Sequence, residues 1–517
     1  LFVVNKQELP AFQQTLMNNQ RTQSARRSLQ RIAFVLTAGL TLFLAGCKKN
    51  NDLVAPVAAN NANGGIDNWI LDNMREYYYW NDKIPASPDT TLAPDKFFDT
   101  LLNKFNATTN PQGDRFSWID LSASNLKAEL SGSSLTTGAD FDLYLRAANS
   151  PGIIAQVLYV LPNSPAHQAG LKRGDIITKV NGTVLDTLNY NKLLFGNATT
   201  FTYGLASTAT GDIVDTDASK TVTATTYQEN PILLDSVYSV GSKKVGYLVY
   251  NQFVPGANGS SASEYDAQVD AIFNKFKAQG INEMVLDLRY NPGGYTSSSA
   301  NLASLIGTGV NSGKLYFREE WNPTITPIIQ KDPQGGDAFF KQNFLDKSQN
   351  VGNSLNRVFV ITTGHTASAS ELIINGLRPY MPVITIGTTS VGKNVGSITI
   401  TDNTGKYQAG LQPIVFRSYN SLNQSDYWTG FKPTVMVEEP LNLLPFGDTR
   451  EALLSAALAQ ISGTGTGGRM GAANANPLKQ FGSSISHKAG GHFGMLKVLK
   501  NPPAIMKATP SRLISKR

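Results

Sequence analysis

The sequence is poor in the residues that build disulfide scaffolds and metal sites. Its 517 residues include one cysteine, Cys47, and four histidines, which excludes a disulfide framework and a cysteine-based zinc site. Charged residues make up only 16% against 41% hydrophobic, outside the low-hydrophobicity, high-charge regime of disordered chains. No apolar run reaches the roughly 20 residues that a membrane-spanning helix needs. The formal charge of +7 suggests a nucleic-acid partner until it is placed along the chain. Residues 1–50 carry seven Lys/Arg and one acid, residues 463–517 carry nine and none, and the body between them is left at −8. No basic face for nucleic acid is therefore expected on the body. At roughly 100 to 200 residues per domain, the length allows two or three domains.

The N-terminal end reads as a targeting segment. Arg21, Arg26, Arg27 and Arg31 precede an uncharged apolar run, Ile32 to Gly46, that ends at Cys47, the layout of a secretory signal. Leu44-Ala45-Gly46-Cys47 resembles the lipobox of bacterial lipoproteins. That resemblance implies lipidation of Cys47 and a membrane-anchored protein of the bacterial envelope, with residues 1–47 as signal and 48–65, rich in Asn and Ala, as a tether.

Three blocks follow. In 66–134, apolar residues such as Trp69, Ile70, Met74, Tyr77 and Tyr78 recur at helical spacing, which predicts a small helical domain whose aromatics are core. In 135–225, short β-like runs alternate with turns, and SPAHQAGLKRGDIITKVNG is similar to the signature of PDZ domains. The resemblance implies a groove that receives a peptide as an added strand, with Thr137, Gly138 and Ala139 forming the loop that would hold a terminal carboxylate. Asp140 would repel such a carboxylate if it pointed inward. From 226 to 462, strands alternate with helices, an α/β layer. Residues 463–517 read as a basic, disordered tail. The fold expected is thus a multidomain α/β protein with a small N-terminal helical domain, a PDZ-like β-rich domain and an α/β catalytic domain with strand-helix-strand crossovers.

Three strand-then-turn units carry the candidate chemistry: Met284–Leu288 before Asn291-Pro292-Gly293-Gly294, Val358–Thr362 before Thr366-Ala367-Ser368-Ala369-Ser370-Glu371, and Val383–Gly387 before Gly392-Lys393. The second and third form a crossover that makes their strands parallel if both join one sheet, so Ser368 and Lys393 meet at a common edge. A buried, neutral lysine can take a serine's proton, and Ser368 opens a helix whose N–H groups face a reacting carbonyl. The same spacing has a bland reading: Ser368 and Glu371 also match a capping box, and Lys393 could be a solvated loop residue.

DLRYNPGG, TASASE and the lysine 25 residues after Ser368 resemble, in order and spacing, the C-terminal processing (tail-specific) peptidases. The resemblance covers about 66–462 and implies a serine endopeptidase acting on protein or peptide substrates, with Ser368 as nucleophile, Lys393 as general base, and no metal or organic cofactor. Ala369 and Gly293 or Gly294 would then supply the oxyanion hole. Many members carry a lysine-orienting glutamine where this chain has Ser397. The rival reading is a noncatalytic PDZ-containing scaffold on a peptidase-derived fold. Histidine offers no easy triad: His365 reads as a turn residue, and a metal site at His487 and His492 is not expected.

Overall fold

The computed structural model describes residues 63–333, 336–465, 476–491 and 495–499. The signal and lipobox, with Cys47, lie outside the described residues.

A six-stranded sheet forms the catalytic layer, in the order Ile232–Val240, Lys243–Tyr250, Glu283–Asp287, Val358–Thr362, Val383–Gly387 and Val435–Met436. All neighbours are parallel except the first pair. These strands are apolar on both faces, as parallel strands covered by helices must be: one face packs on Phe273, Leu302 and Leu372, the other on Leu453, Leu454 and Ala457. The expected α/β architecture and the parallel crossover are both present, and the crossover helix is Ala369–Leu377.

The PDZ-like block is a sheet of Ala139–Leu145, Ile153–Val160, Ile176–Val180, Thr200–Ser207 and Val214–Thr223 around its own core, including Phe141, Val157 and Ile177. The Asn181-Gly182 turn has positive φ at both residues, the backbone that a two-residue hairpin of this type demands.

Two features extend past the boundaries expected from sequence. The helices Gly64–Tyr77 and Pro94–Thr100 pack Ile70, Met74, Tyr78 and Phe97 onto Ala409 and Leu411, and Trp118–Asp120 pairs antiparallel with Gly410–Gln412. The N-terminal block thus shares a core and a small sheet with the catalytic layer. Within the region read as an unstructured tail, Gln480–Ser483 joins the PDZ-like sheet beside Ala139–Leu145. Met495–Leu496 runs parallel to both Gly294–Tyr295 and Val395–Ser397. Backbone pairing to strands already in place orders these stretches, although their own side chains show little periodicity.

Candidate active site

Ser368 is fully buried and stands between strand and helix at φ 62°, a left-handed backbone that a non-glycine residue adopts at a cost. Its Oγ has no hydrogen-bond partner among the described residues. The Ser368 N–H donates to Glu371 Oε2 at 2.8 Å, and the two residues stand in the capping-box arrangement that their spacing suggested.

Gly293 lies directly against it. At φ 110°, a Cβ built on Gly293 would come within 2.9 Å of Ser368 Cβ and 3.0 Å of Ala369 N, so only glycine lets this turn approach. Gly293, Ala369 and Ser368 are therefore brought together. The Gly293 N–H donates to Asn291 Oδ1 at 2.9 Å. Gly294, at φ 134°, abuts the Phe253 carbonyl.

The lysine loop is tied to the serine turn at several points. Val391 N–H donates to Thr366 O and Thr388 N–H to Thr362 O. Glu371 completes the clamp: Oε1 accepts from the Ser390 hydroxyl (2.6 Å) and Gly392 N–H (2.7 Å), and Oε2 accepts from Ser368 N–H (2.8 Å) and Lys393 N–H (2.7 Å). Burial raises the pKa of this carboxyl while the four hydrogen bonds oppose it. Three of the four donors are amides that cannot accept, so among these partners only the Ser390 hydroxyl could receive a proton from a neutral Glu371.

Lys393 is 1% exposed. Burial lowers its pKa to about 7, opposed by Asp114 and Glu371 and assisted by Arg115. Its Nζ lies 4.4 Å from the centre of the Phe116 ring. Arg115 donates to the carbonyls of Gly392 and Trp428, and Asp114 is itself fixed by the Tyr78 hydroxyl and the N–H groups of Phe116 and Ser117. The segment Asp114–Phe116 thus roofs the lysine. It comes from the block to which sequence reasoning assigned only core packing, and no sequence signal marks it, because the contact spans almost 280 residues.

Ser397 is buried on the strand after Lys393. Its hydroxyl accepts from Gln412 Nε2 at 2.8 Å and faces the Met495 carbonyl at 3.4 Å. In the PDZ-like loop, Gly138 and Ala139 N–H groups donate to the hydroxyls of Thr136 and Thr137. His365 pairs with Asp142 of the PDZ-like sheet at 3.0 Å; burial acts to lower its pKa, but Asp142, Glu439 and Asp140 outweigh that and leave it raised. Among the described residues, no three metal-binding side chains converge, and no helix is long and apolar enough to cross a membrane.

Family models match in the same places: peptidase family S41 over residues 244–437, the peptidase S41 N-terminal domain over 65–118, and a PDZ domain over 156–194. The matched domains are those of S41 peptidases, and the chain is similar to carboxyl-terminal-processing proteases. It is 26% identical over 310 residues to a carboxyl-terminal-processing protease of Picosynechococcus sp., covering 59% of this chain and 66% of that one. It is 24% identical over 290 residues to one of Synechocystis sp., covering 55% and 60%. The match therefore spans less than two thirds of these relatives' length. A solved structure from Bacteroides fragilis, described as an S41 protease, is 28% identical with a TM-score of 0.63, covering 82% of this chain and all of that one.

Proposed function

We propose that this S41 chain is a serine endopeptidase cleaving unstructured or C-terminal protein segments through a Ser368–Lys393 dyad. The observation that carries the reading is the Glu371 clamp, which holds the backbone N–H groups of Ser368, whose hydroxyl is buried, and of Lys393, whose burial brings its pKa to about 7, on one oxygen. Ser368 Oγ attacks the scissile carbonyl carbon while its proton passes to neutral Lys393. Lys393 then protonates the leaving amine, the C–N bond breaks, and an acyl-enzyme remains on Ser368. Water, deprotonated by the same lysine, hydrolyses the ester and frees the serine. Ala369 N–H and an N–H of the Gly293–Gly294 turn stabilise the oxyanion; at Gly293 an incoming oxygen shares the donor with Asn291 Oδ1. Ser397 acts on the lysine only at a distance in this reading, through the strand Val395–Ser397, where Gln412 and the Met495 carbonyl hold its hydroxyl.

Mass spectrometry of an unstructured test protein incubated with wild type, Ser368→Ala and Lys393→Ala tests the proposal. Cleavage by wild type and by neither variant is expected; peptide binding without turnover in wild type would favour the scaffold reading instead. The export and lipid-anchor reading rests on the Cys47 sequence pattern, and metabolic labelling with a fatty acid, present in wild type and absent in Cys47→Ala, checks it.

A further inference from the structure

The groove between the strand Ala139–Leu145 and the helix Tyr190–Phe195 is where a PDZ-like domain takes its ligand, and here it holds the chain's own residues 480–488. Gln480–Ser483 lies antiparallel to the strand, with Ser483 opposite Asp142. Phe481 sets its ring edge-on to Tyr190 at 5.2 Å, and His487 stacks on Phe195 at 3.8 Å. At the loop end, Ser484 Oγ accepts from Phe141 N–H and donates to Asp140, both at 2.8 Å. The chain does not stop there. It continues to Lys488, whose ammonium reaches Asp140 at 2.8 Å, Glu229 at 2.7 Å and the Tyr159 hydroxyl at 3.1 Å.

Two further observations oppose a terminal carboxylate at this place. Gly138 and Ala139, whose N–H groups would have to receive it, already donate to Thr136 and Thr137. Asp140 is buried, and its charge would repel a second carboxylate at close range. A buried acidic pair that faces the loop requires a cation.

We propose that this groove is a receptor for an internal, extended peptide segment carrying a lysine or arginine at the Asp140–Glu229 pair, and that residues 480–488 are its ligand in cis. The selectivity is twofold: backbone pairing along Ala139–Leu145 accepts any extended chain, while the acidic pair admits a basic side chain and turns away a free C-terminus. The claim concerns binding alone and stands whether or not Ser368 hydrolyses anything.

The test uses the full chain with Ser368→Ala, so that cleavage plays no part, and a dye-labelled, C-terminally amidated peptide of residues 478–490 read by fluorescence anisotropy. Lys488→Ala weakens the cis ligand, so this chain should bind the added peptide on the order of tenfold tighter than the chain that keeps Lys488. Norleucine in place of the peptide's lysine at position 488, with that at position 479 kept, should remove a similar factor, a change that leaves the protein's folding untouched. A peptide ending in a free carboxylate at Ser484 should bind no tighter than the amidated one. Tighter binding of the free carboxylate, indifference to the norleucine exchange, or failure of the peptide to bind the Lys488→Ala chain would each overturn the proposal.

Discussion

The amide hydrogens of Ser368 and Lys393, 25 residues apart in sequence, converge on one oxygen, Oε2 of Glu371, at 2.8 and 2.7 Å. A single carboxylate thus sets the spacing between the two halves of the proposed dyad. Glu371→Gln keeps the shape but turns an NH2 group towards two of the four donors. It should destabilise the protein by about 2 kcal/mol or more, the cost of buried donors left without a charged acceptor. It should also lower kcat by roughly a hundredfold through misplacement of the pair. Denaturant unfolding and steady-state kinetics check both; unchanged kcat would mean that the clamp does not position the dyad.

Lys393 must be neutral to accept a proton, and its pKa of about 7 places that change within the working range. Activity should therefore rise with pH through about 7 and level off above it, where an ordinary lysine would still be charged. The folded state binds fewer protons than the unfolded chain between this pKa and the normal lysine value, so the same group makes stability increase with pH across that window. A pH profile of kcat/KM flat from pH 5 to 8 would contradict the assignment.

Asp114 and Arg115 pull that inflection in opposite directions, the carboxylate raising the lysine pKa and the guanidinium lowering it. Asp114→Asn should move the inflection to more acidic pH and Arg115→Gln to more alkaline pH. Loss of packing alone would move both the same way or neither, so the opposed signs are the diagnostic result.

The left-handed backbone of Ser368 predicts that glycine relieves strain there. Ser368→Gly should be more stable than Ser368→Ala by about 1 kcal/mol, with both inactive. Thermal unfolding of the two variants decides it.

Gly293→Ala places a methyl group 2.9 Å from Ser368 Cβ at a backbone angle that alanine avoids. Loss of roughly 2 kcal/mol of stability and of nearly all turnover is expected, measured by unfolding and by peptide hydrolysis.

Much of this architecture was legible because it is written locally. Each strand-then-turn unit is a short apolar run ended by Gly, Asn or Thr, and the Ser368-to-Lys393 interval is long enough only for a helix that returns the chain to a parallel neighbour. The PDZ-like elements follow the same local grammar of strand, Gly-Asp turn and Asn-Gly turn. Ser368 and Glu371 were ambiguous, since their spacing suits both a cap and a clamp; both are made, and only the second needs the loop of Lys393, which adds its amides to Glu371. The roof at Asp114–Phe116 and the strand Gln480–Ser483 left no local mark. One depends on tertiary contact across most of the chain, and the other is a Gly- and Ser-containing stretch whose order comes from the sheet edge it joins.

The Phe116 ring and its neighbours have a consequence for the order of events during synthesis. A lysine in water is protonated in all but about one molecule in a thousand at neutral pH, and Lys393 loses that hydration only when a segment made long before it folds down over it. In the proposed dyad, a chain whose residues 114–116 are not yet packed over Lys393 would hold a serine without a neutral base beside it.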